Sequence, residues 1–471
     1  MKLSEIAQLI QIPDLPAELA NREPTGYSID SRTVQQGDLF FAIKGEKFDG
    51  HDFVADALSR GALAAVVART LPIDKDLLVR LIKVEEPLVA LQQLAQGVLQ
   101  KWGKQIVGIT GSAGKTTTKE LTSLVLSRAG RVLKSTGNLN NTYGLPLSVL
   151  KMVSNGAAPS DYDFAVLEMG MSTPGEIRRL CEIAPPDVGA VVNVNAVHLE
   201  FFASLQAIAD AKAELIEGLK PQALAVLNAD DELVRAMAER HNGPLKMIGI
   251  ESPADVRAVK ITENGLLGTK FHLVTPQGEV EAELPLAGRH ILYNALIAAA
   301  IGDHYGLTPA QIAEALRDAS AAKHRGEVIQ FRAGFTVVDD SYNSNPRALD
   351  EMVRMLAAVQ GVSRRIVVAG EMLELGPTGK ELHRSCGQQI ALNNIDLLIG
   401  VRGLAREIVT GAIAAGMPAE QACYFDTCED AAEWLSERLQ KGALVLVKGS
   451  RGVKTELIID ALKHKFESEG A

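Results

Sequence analysis

The segment Gly111-Ser112-Ala113-Gly114-Lys115-Thr116-Thr117 combines what a bound triphosphate requires. Its glycines let backbone N–H groups crowd onto an anion, Lys115 supplies a mobile cation, and the Thr116 hydroxyl can ligate magnesium. It lies between Lys104 to Thr110, which reads as a strand, and Lys115 to Arg128, which has helical character and stops at Gly130. Strand, glycine turn and a Gly-Lys-Thr opening a helix agree, so the sequence predicts ATP on this loop. The spacing departs from the strict Gly-x-x-x-x-Gly-Lys-Ser/Thr pattern, because its first glycine position falls on Ile109, with Gly108 and Gly111 on either side.

Several other residues have chemistry available to them. Glu168 follows the apolar run Phe164 to Leu167, so it stands at the carboxyl end of a predicted strand, where the crevices of α/β proteins open. Its carboxylate could complete a magnesium site opposite Thr116; the plainer alternative is a solvated or capping glutamate. His198 follows the predicted strand Val188 to Val194, and a lone histidine in such a place is more often structural than a ligand. Lys212 sits on a predicted helix, Ser204 to Leu219, with Ser204 as N-cap and Leu205, Ile208, Leu215 and Leu219 on one face. Nothing local makes it catalytic, and beside Glu214 and Glu217 it reads as a surface lysine.

Asp339-Asp340-Ser341-Tyr342-Asn343-Ser344-Asn345-Pro346 joins a strand to a helix and is rich in acceptors and turn formers. A carboxylate there could hold ribose hydroxyls, or the segment could be an Asx turn with an N-cap. Lys448-Gly449-Ser450-Arg451-Gly452 also links a strand to a helix and could receive a carboxylate or phosphate. It is no second ATP loop, since no Gly-Lys-Thr follows.

These residues need elements to hold them. At 471 residues the chain exceeds one ordinary core, and roughly 150 residues per domain gives about three domains. Residues 1–85 show short apolar runs broken by Gly and Asp, the pattern of a small α/β unit, and Pro87 to Lys104 reads as a linking helix that ends at Gly103. Residues 86–322 alternate strand and helix, which implies a mainly parallel sheet. Within them, Val256 to Leu286 carries turns at Asn264-Gly265 and Gln277-Gly278, a small antiparallel part, before a helix that begins near Gly288 and holds Asn294. Residues 323–471 place strands at Phe335 to Val338, Arg365 to Ala369, Asp396 to Gly400 and Leu444 to Val447, the spacing of a second doubly wound, Rossmann-like domain. The fold class predicted is therefore α/β in three domains.

Composition removes whole classes of function. A formal charge of -10 disfavours broad nucleic-acid or anionic-membrane surfaces. No apolar run approaches the roughly 18 to 20 residues that span a bilayer. The stretch Met1 to Pro13 lacks the apolar core of a secretory signal, so a cytoplasmic protein is expected. Cys181, Cys386, Cys423 and Cys428 lie without a close pair, which suits buried thiols better than zinc or disulfides.

In their order along nearly the whole chain, these segments resemble the Mur ligases. The likeness rests on Asp30-Ser31-Arg32, Asp49-Gly50-His51-Asp52-Phe53, the phosphate loop, Gly137-Asn138-Leu139-Asn140-Asn141, Leu167-Glu168-Met169-Gly170, His198, Lys212, Asn294, Arg325 and Asp340. Within that family, Asp339 to Pro346 and Gly370-Glu371-Met372-Leu373-Glu374-Leu375-Gly376 with His383 look like the branch that adds D-alanyl-D-alanine. The resemblance implies ATP, magnesium, a UDP-N-acetylmuramoyl tripeptide and D-Ala-D-Ala as reactants. It further implies an acyl-phosphate intermediate and a UDP-muramoyl pentapeptide, a precursor of cell-wall peptidoglycan, as product.

The same resemblance assigns roles. Lys115, Glu168, His198 and Lys212 become catalytic, and Thr116, Glu168, His198 and a carbamylated Lys212 become magnesium ligands. Asn294, Arg325 and Asp340 join the phosphate loop around ATP, which then lies between the second and third domains, so closure of the last domain would assemble the site. Asn138, Asn141 and Thr142 fall to the muramoyl peptide, and Ser31, Arg32 and Lys44 to UDP. Tyr342, Asn343, Asn345, Lys448, Ser450 and Arg451 are the remaining substrate residues. A monomer is expected. The competing expectations are a relative that adds a single amino acid, or glutamyl units to a folate, and a P-loop protein that uses ATP only as a switch.

Overall fold

The computed structural model describes residues 1–12, 15–196 and 200–468. Short β-branched runs bounded by Gly, Asp and Asn form strands in three separate sheets. In the first, β1 (Tyr27–Ser28), β2 (Leu39–Phe41), β3 (Ala64–Val67) and β4 (Leu81–Lys83) lie side by side and parallel. The second holds β5 (Gln105–Thr110), β6 (Val132–Lys134), β7 (Phe164–Glu168), β8 (Val188–Val191), β9 (Leu224–Asn228), β10 (Leu245–Gly249), β11 (Val256–Glu263), β12 (Thr269–Thr275) and β13 (Gly278–Leu284). Its order is β13-β12-β11-β10-β9-β8-β5-β7-β6, so β5 stands where the winding changes direction, between β8 and β7. Crevices open at the carboxyl ends of strands at such a point.

The third sheet contains β14 (Glu327–Gln330), β15 (Thr336–Asp340), β16 (Arg364–Gly370), β17 (Leu397–Val401), β18 (Ala422–Phe425) and β19 (Ala443–Lys448) in the order β14-β15-β19-β16-β17-β18. It is parallel except for β14, which runs against β15. That antiparallel edge is absent from the sequence reading, because Glu-Val-Ile-Gln is too short to show a period. The predicted α/β architecture stands, including the antiparallel β11 to β13. The strand expected over Val188 to Val194 stops at Val191. Residues 192–194 leave the sheet as Asp231 accepts the Val194 amide at 2.9 Å and Asn193 turns toward the phosphate loop.

Packing joins the sheets unequally. The helix Pro87–Trp102 begins with proline at its first turn, where no N–H is needed, and ends at Gly103, whose φ of +66° suits a left-handed cap. Its Leu91, Leu94 and Val98 lie in one continuous core with Phe41 and Val66 of the first sheet and Leu167 and Val191 of the second. The third sheet has its own cores on its two faces, and Ala287 is the only buried central residue among them in the described part of the chain.

One buried contact in the last domain shapes the crevice edge. His383, on the helix Gly379–Leu392, accepts the Met372 amide at Nε2 (2.9 Å) and donates from Nδ1 to the Gly379 carbonyl (2.6 Å), fixing the loop after β16. Burial holds its pKa below the usual histidine value, in keeping with that neutral role. The same helix lies against the helix Ala405–Ala414, and a Cβ on Gly387 would run into the Ile408 carbonyl. Gly387→Ala is expected to destabilise the protein by about 1 to 3 kcal/mol through overpacking. Thermal unfolding checks this, and an unchanged melting temperature would contradict so close an approach.

Candidate active site

The phosphate loop is held from two sides before any ligand arrives. Gly114, at φ +79°, turns the chain into the helix Lys115–Leu126, and a Cβ there would lie 2.7 Å from Asn294 Oδ1. The first-turn amides of that helix have no intrahelical partners and sit at its positive end, an arrangement suited to an anion. The residues after β8 form a splint. Ser112 N donates to Asn193 O (3.0 Å), Ala113 N to Asn193 Oδ1 (2.9 Å), and Asn195 N to Ser112 Oγ (2.8 Å). Lys115 folds back so that Nζ donates to Gly111 O at 2.8 Å. Burial lowers the Lys115 pKa, Glu168 opposes that shift, and the Arg325 charge adds to it.

Glu168 closes the other side. It is 2% exposed at the end of β7, so it is neither solvated nor a cap. Oε2 accepts from Thr116 Oγ1 at 2.9 Å, Oε1 accepts from Asn140 Nδ2 at 2.8 Å, and its backbone N donates to Ser135 Oγ at 3.0 Å. A hydroxyl and a carboxylate thus converge beside the loop. That donor set fits magnesium, which takes hard oxygen ligands and is commonly held by one or two protein oxygens together with phosphates and water. The described residues hold no cluster of three or more His, Cys, Asp or Glu that would bind a metal unaided. His198 lies outside the described residues.

Lys212 is no surface lysine: on the helix Leu205–Glu217 it is 2% exposed and has no ion-pair partner among the described residues. Its acidic neighbours are engaged elsewhere. Glu214 accepts the Gly175 and Arg178 amides (2.7 and 3.0 Å), and Glu217 meets Arg240 at 3.1 Å. The surface expectation failed because this helix is covered on most of its circumference, with Ile208, Ala211, Ala213, Leu215 and Ile216 all buried, so apolar periodicity does not mark an outward face. Burial drives the Lys212 pKa well below the usual lysine range, and the Lys115 charge adds to the shift.

A cleft of about 1680 Å³ joins all three sheets. Ser31, Arg32 and Lys44 line it from the first, Asn138, Asn141, Thr142 and the stretch Ser112 to Thr116 from the second, and Arg325, Tyr342 and Asn343 from the third. The Arg325 guanidinium stacks 4.0 Å over the Tyr342 ring and reaches within 3.5 Å of Thr116 Oγ1. Other predicted residues stand back from the cleft. Asn294 is buried behind Gly114, and Thr117 faces a separate groove of about 510 Å³. Asp340 pairs with Lys448, which also donates to Asn343 O at 3.0 Å. Asn345 caps the helix Pro346–Ala358 by accepting the Ala348 amide at 2.9 Å, and Ser450 Oγ accepts the Leu373 amide at 2.9 Å. Arg451 meets Glu456 at 2.7 Å and lies 5.7 Å from the Tyr342 ring.

Sequence reasoning passes over Asn140, Asn193, Asn195 and Arg347. Asn140 sits inside Gly137 to Asn141, a motif already singled out, and Asn193 and Asn195 lie between the start of the expected strand at Val188 and His198, where a density of carboxamides was the available signal. Arg347, which reaches Asn195 Oδ1 at 2.8 Å, had no local signal.

Comparison with known proteins places three family models along the chain. The family model described as "Mur ligase family, catalytic domain" matches residues 23–98, "Mur ligase middle domain" residues 109–302, and "Mur ligase, glutamate ligase domain" residues 324–451. A Bacillus subtilis protein named UDP-N-acetylmuramoyl-tripeptide--D-alanyl-D-alanine ligase is 34% identical over 438 residues, covering 93% of this chain and 93% of that protein. The crystal structure of MurF from Acinetobacter baumannii superposes with a TM-score of 0.86 at 28% identity, over 98% of both chains. MurF ligase from Thermotoga maritima, solved in complex with ADP, gives 0.80 at 31% identity over 93% of this chain and 97% of that one. With three such models in sequence order and a likeness that runs almost end to end, the chain belongs to the Mur ligase family.

Proposed function

We propose that this protein joins D-alanyl-D-alanine to UDP-N-acetylmuramoyl-tripeptide at the expense of ATP, forming the pentapeptide precursor of peptidoglycan. The observation that carries the reading is the single cleft that runs from Arg32 and Lys44, past the phosphate loop, to Arg325 and Tyr342. It is long enough for a nucleotide-linked substrate and ATP to meet at Lys115. In this reading residues 1–85 hold UDP, residues 86–322 carry ATP, and residues 323–471 close over both and receive the dipeptide. No helix among the described residues is long and apolar enough to cross a membrane, and the reaction is assigned to the cytoplasm.

The chemistry proceeds in two displacements. An oxygen of the peptide carboxylate attacks the γ-phosphorus, a new O–P bond forms, and the bond to the bridging oxygen breaks as ADP leaves. The dipeptide amine then attacks the acyl carbon. A C–N bond forms, the C–O bond to phosphate breaks, and the amine proton passes to solvent. No protein nucleophile is needed, so positioning and charge stabilisation supply the acceleration. Lys115, Arg325 and the first-turn amides offset charge on the transferring phosphoryl group. Magnesium, when bound, would neutralise phosphate charge, with Thr116, Glu168, His198 and a carbamylated Lys212 as its holders.

Asn138, Asn141 and Thr142 orient the muramoyl peptide, and Tyr342 and Asn343 border the space for the acceptor. Lys448, Ser450 and Asn345 act by shaping the loops beside it. Asp340 is held by Lys448 through one carboxylate oxygen, which leaves the other for a ribose hydroxyl. Asn294 fixes the turn at Gly114. Docking of the last domain excludes water from the acyl-phosphate.

Burial shifts Lys212 toward the neutral amine that carbamate formation requires. The nitrogen adds to carbon dioxide as one C–O π bond opens, an N–C bond forms, a proton is released, and an anionic oxygen group replaces the neutral amine. After exchange with carbon-13 bicarbonate, a carbamate resonance is expected in the wild type and not in Lys212→Arg; spectra alike in both would remove the modification.

Lys115→Ala is expected to lower ADP formation by about 10²-fold or more, as loss of a preorganised cation would. Calorimetry should show UDP-substrate binding intact, and normal turnover in that variant would refute the ATP assignment. Hydroxylamine added with ATP and the UDP-tripeptide should trap a hydroxamate. ADP release that needs no acyl substrate would instead support a switch, and a preference for folate or single amino acids would support another ligase of the family.

A further inference from the structure

Besides Arg325, a second arginine links the last domain to the residues that brace the phosphate loop. Arg347 lies in the first turn of the helix Pro346–Ala358, so it moves with the C-terminal sheet. Its Nε donates to Glu351 Oε1 at 3.0 Å on the same helix, and its Nη1 donates to Asn195 Oδ1 at 2.8 Å on the central domain. Asn195 is 8% exposed and belongs to the splint of the loop. Its backbone N donates to Ser112 Oγ at 2.8 Å, Ser112 Oγ donates to its carbonyl at 3.1 Å, and its Nδ2 lies 3.4 Å from the Asn193 Oδ1 that holds Ala113 N. A second polar contact runs alongside, with His290 Nδ1 4.0 Å from Glu351 Oε2.

We propose that Arg347 is a positioning residue that couples docking of the C-terminal domain to the grip of the phosphate loop on ATP, acting through Asn195. The inference rests on the reading of that loop as the ATP site. The pairing with Glu351 sets the planar guanidinium before docking, so little side-chain entropy is lost when it meets Asn195. When the domain withdraws, the nearly buried Asn195 carbonyl loses its charged donor, and a buried acceptor without a partner is costly. Its carboxamide then reorients toward water and ceases to brace Asn193 Oδ1, the acceptor of the Ala113 amide. Coupling of this kind is reciprocal, so ATP on the loop favours the docked domain by the same factor.

The plainer role for Arg347, which is 58% exposed, is that of a surface i,i+4 partner of Glu351. Such pairs contribute only about 0.3 to 0.5 kcal/mol to stability and would leave ATP affinity untouched. The two roles separate in a double-mutant cycle on the full chain, with ATP and magnesium titrated calorimetrically in the absence of other substrates. Arg347→Gln is expected to weaken ATP by about fivefold to tenfold, a typical size for coupling between sites. Arg347→Lys should recover part of that loss. The variant combining Arg347→Gln with Asn195→Ala should lose no more than Asn195→Ala alone, as expected of residues acting through one contact. UDP-substrate affinity and the melting temperature of Arg347→Gln should stay at wild-type values. Wild-type ATP affinity in Arg347→Gln, or losses that multiply in the double variant, would overturn the coupling. A wild-type chain that binds no ATP would overturn the ATP reading and the coupling with it, whereas an unexpected ligation product would sink only the assigned reaction.

Discussion

A chain of formal charge -10 can hold a triphosphate only by gathering cations and oriented amides at one place, and the end of β5 gathers both. Because β5 lies between β7 and β8, the loop that follows it is flanked by Glu168 on one side and by Asn193 and Asn195 on the other. The resulting pocket is electrostatically uncomfortable when considered alone. Burial and the nearby Arg325 charge lower the Lys115 pKa, and burial and the Lys115 charge lower that of Lys212. Lys115 and Arg325, crowded against one another in this way, gain most from a polyanion between them, which is how a binding site draws specificity from otherwise unfavourable packing.

The unequal packing of the domains gives this site its working parts. The first and central sheets share a core through the helix Pro87–Trp102, so the Arg32 and Lys44 end of the cleft and the phosphate loop behave as one body. The last domain has its own cores, one of which takes in Ala287 and packs against Leu266, and it also meets that body at polar points: Arg325 near Thr116, Arg347 on Asn195, and Glu351 near His290. Interfaces of that composition favour relative motion of domains. A ligase that must admit large substrates and then exclude water benefits from rigidity on one side of ATP and a docking surface on the other.

How much of this the sequence disclosed depends on the range of the interaction. Lys115 and Thr116 were legible because strand, glycine turn and helix are local patterns, and Glu168 was legible because a strand end points toward a crevice. Lys212 was misplaced on physical grounds alone: helical periodicity assumes one covered face, and the helix Leu205–Glu217 is covered on most sides. The likeness to the family supplied a role there that the period of the helix did not. In the loop after β15, Asn345 caps a helix as one of the two sequence readings expects, whereas Asp340 pairs with a lysine 108 residues away, a contact that neither reading contains. Arg347 and Asn195, 152 residues apart, illustrate the limit, because partners so distant leave no trace in local spacing.

The central claim is that this cleft directs one acyl group to one dipeptide, and the most direct measurement is mass spectrometry of the product formed from UDP-muramoyl tripeptide, ATP and D-Ala-D-Ala. A single new species with the mass of the tripeptide nucleotide plus the dipeptide less water, formed with one ADP per molecule, is the predicted result. ADP accumulating with the UDP-tripeptide left unextended would contradict it.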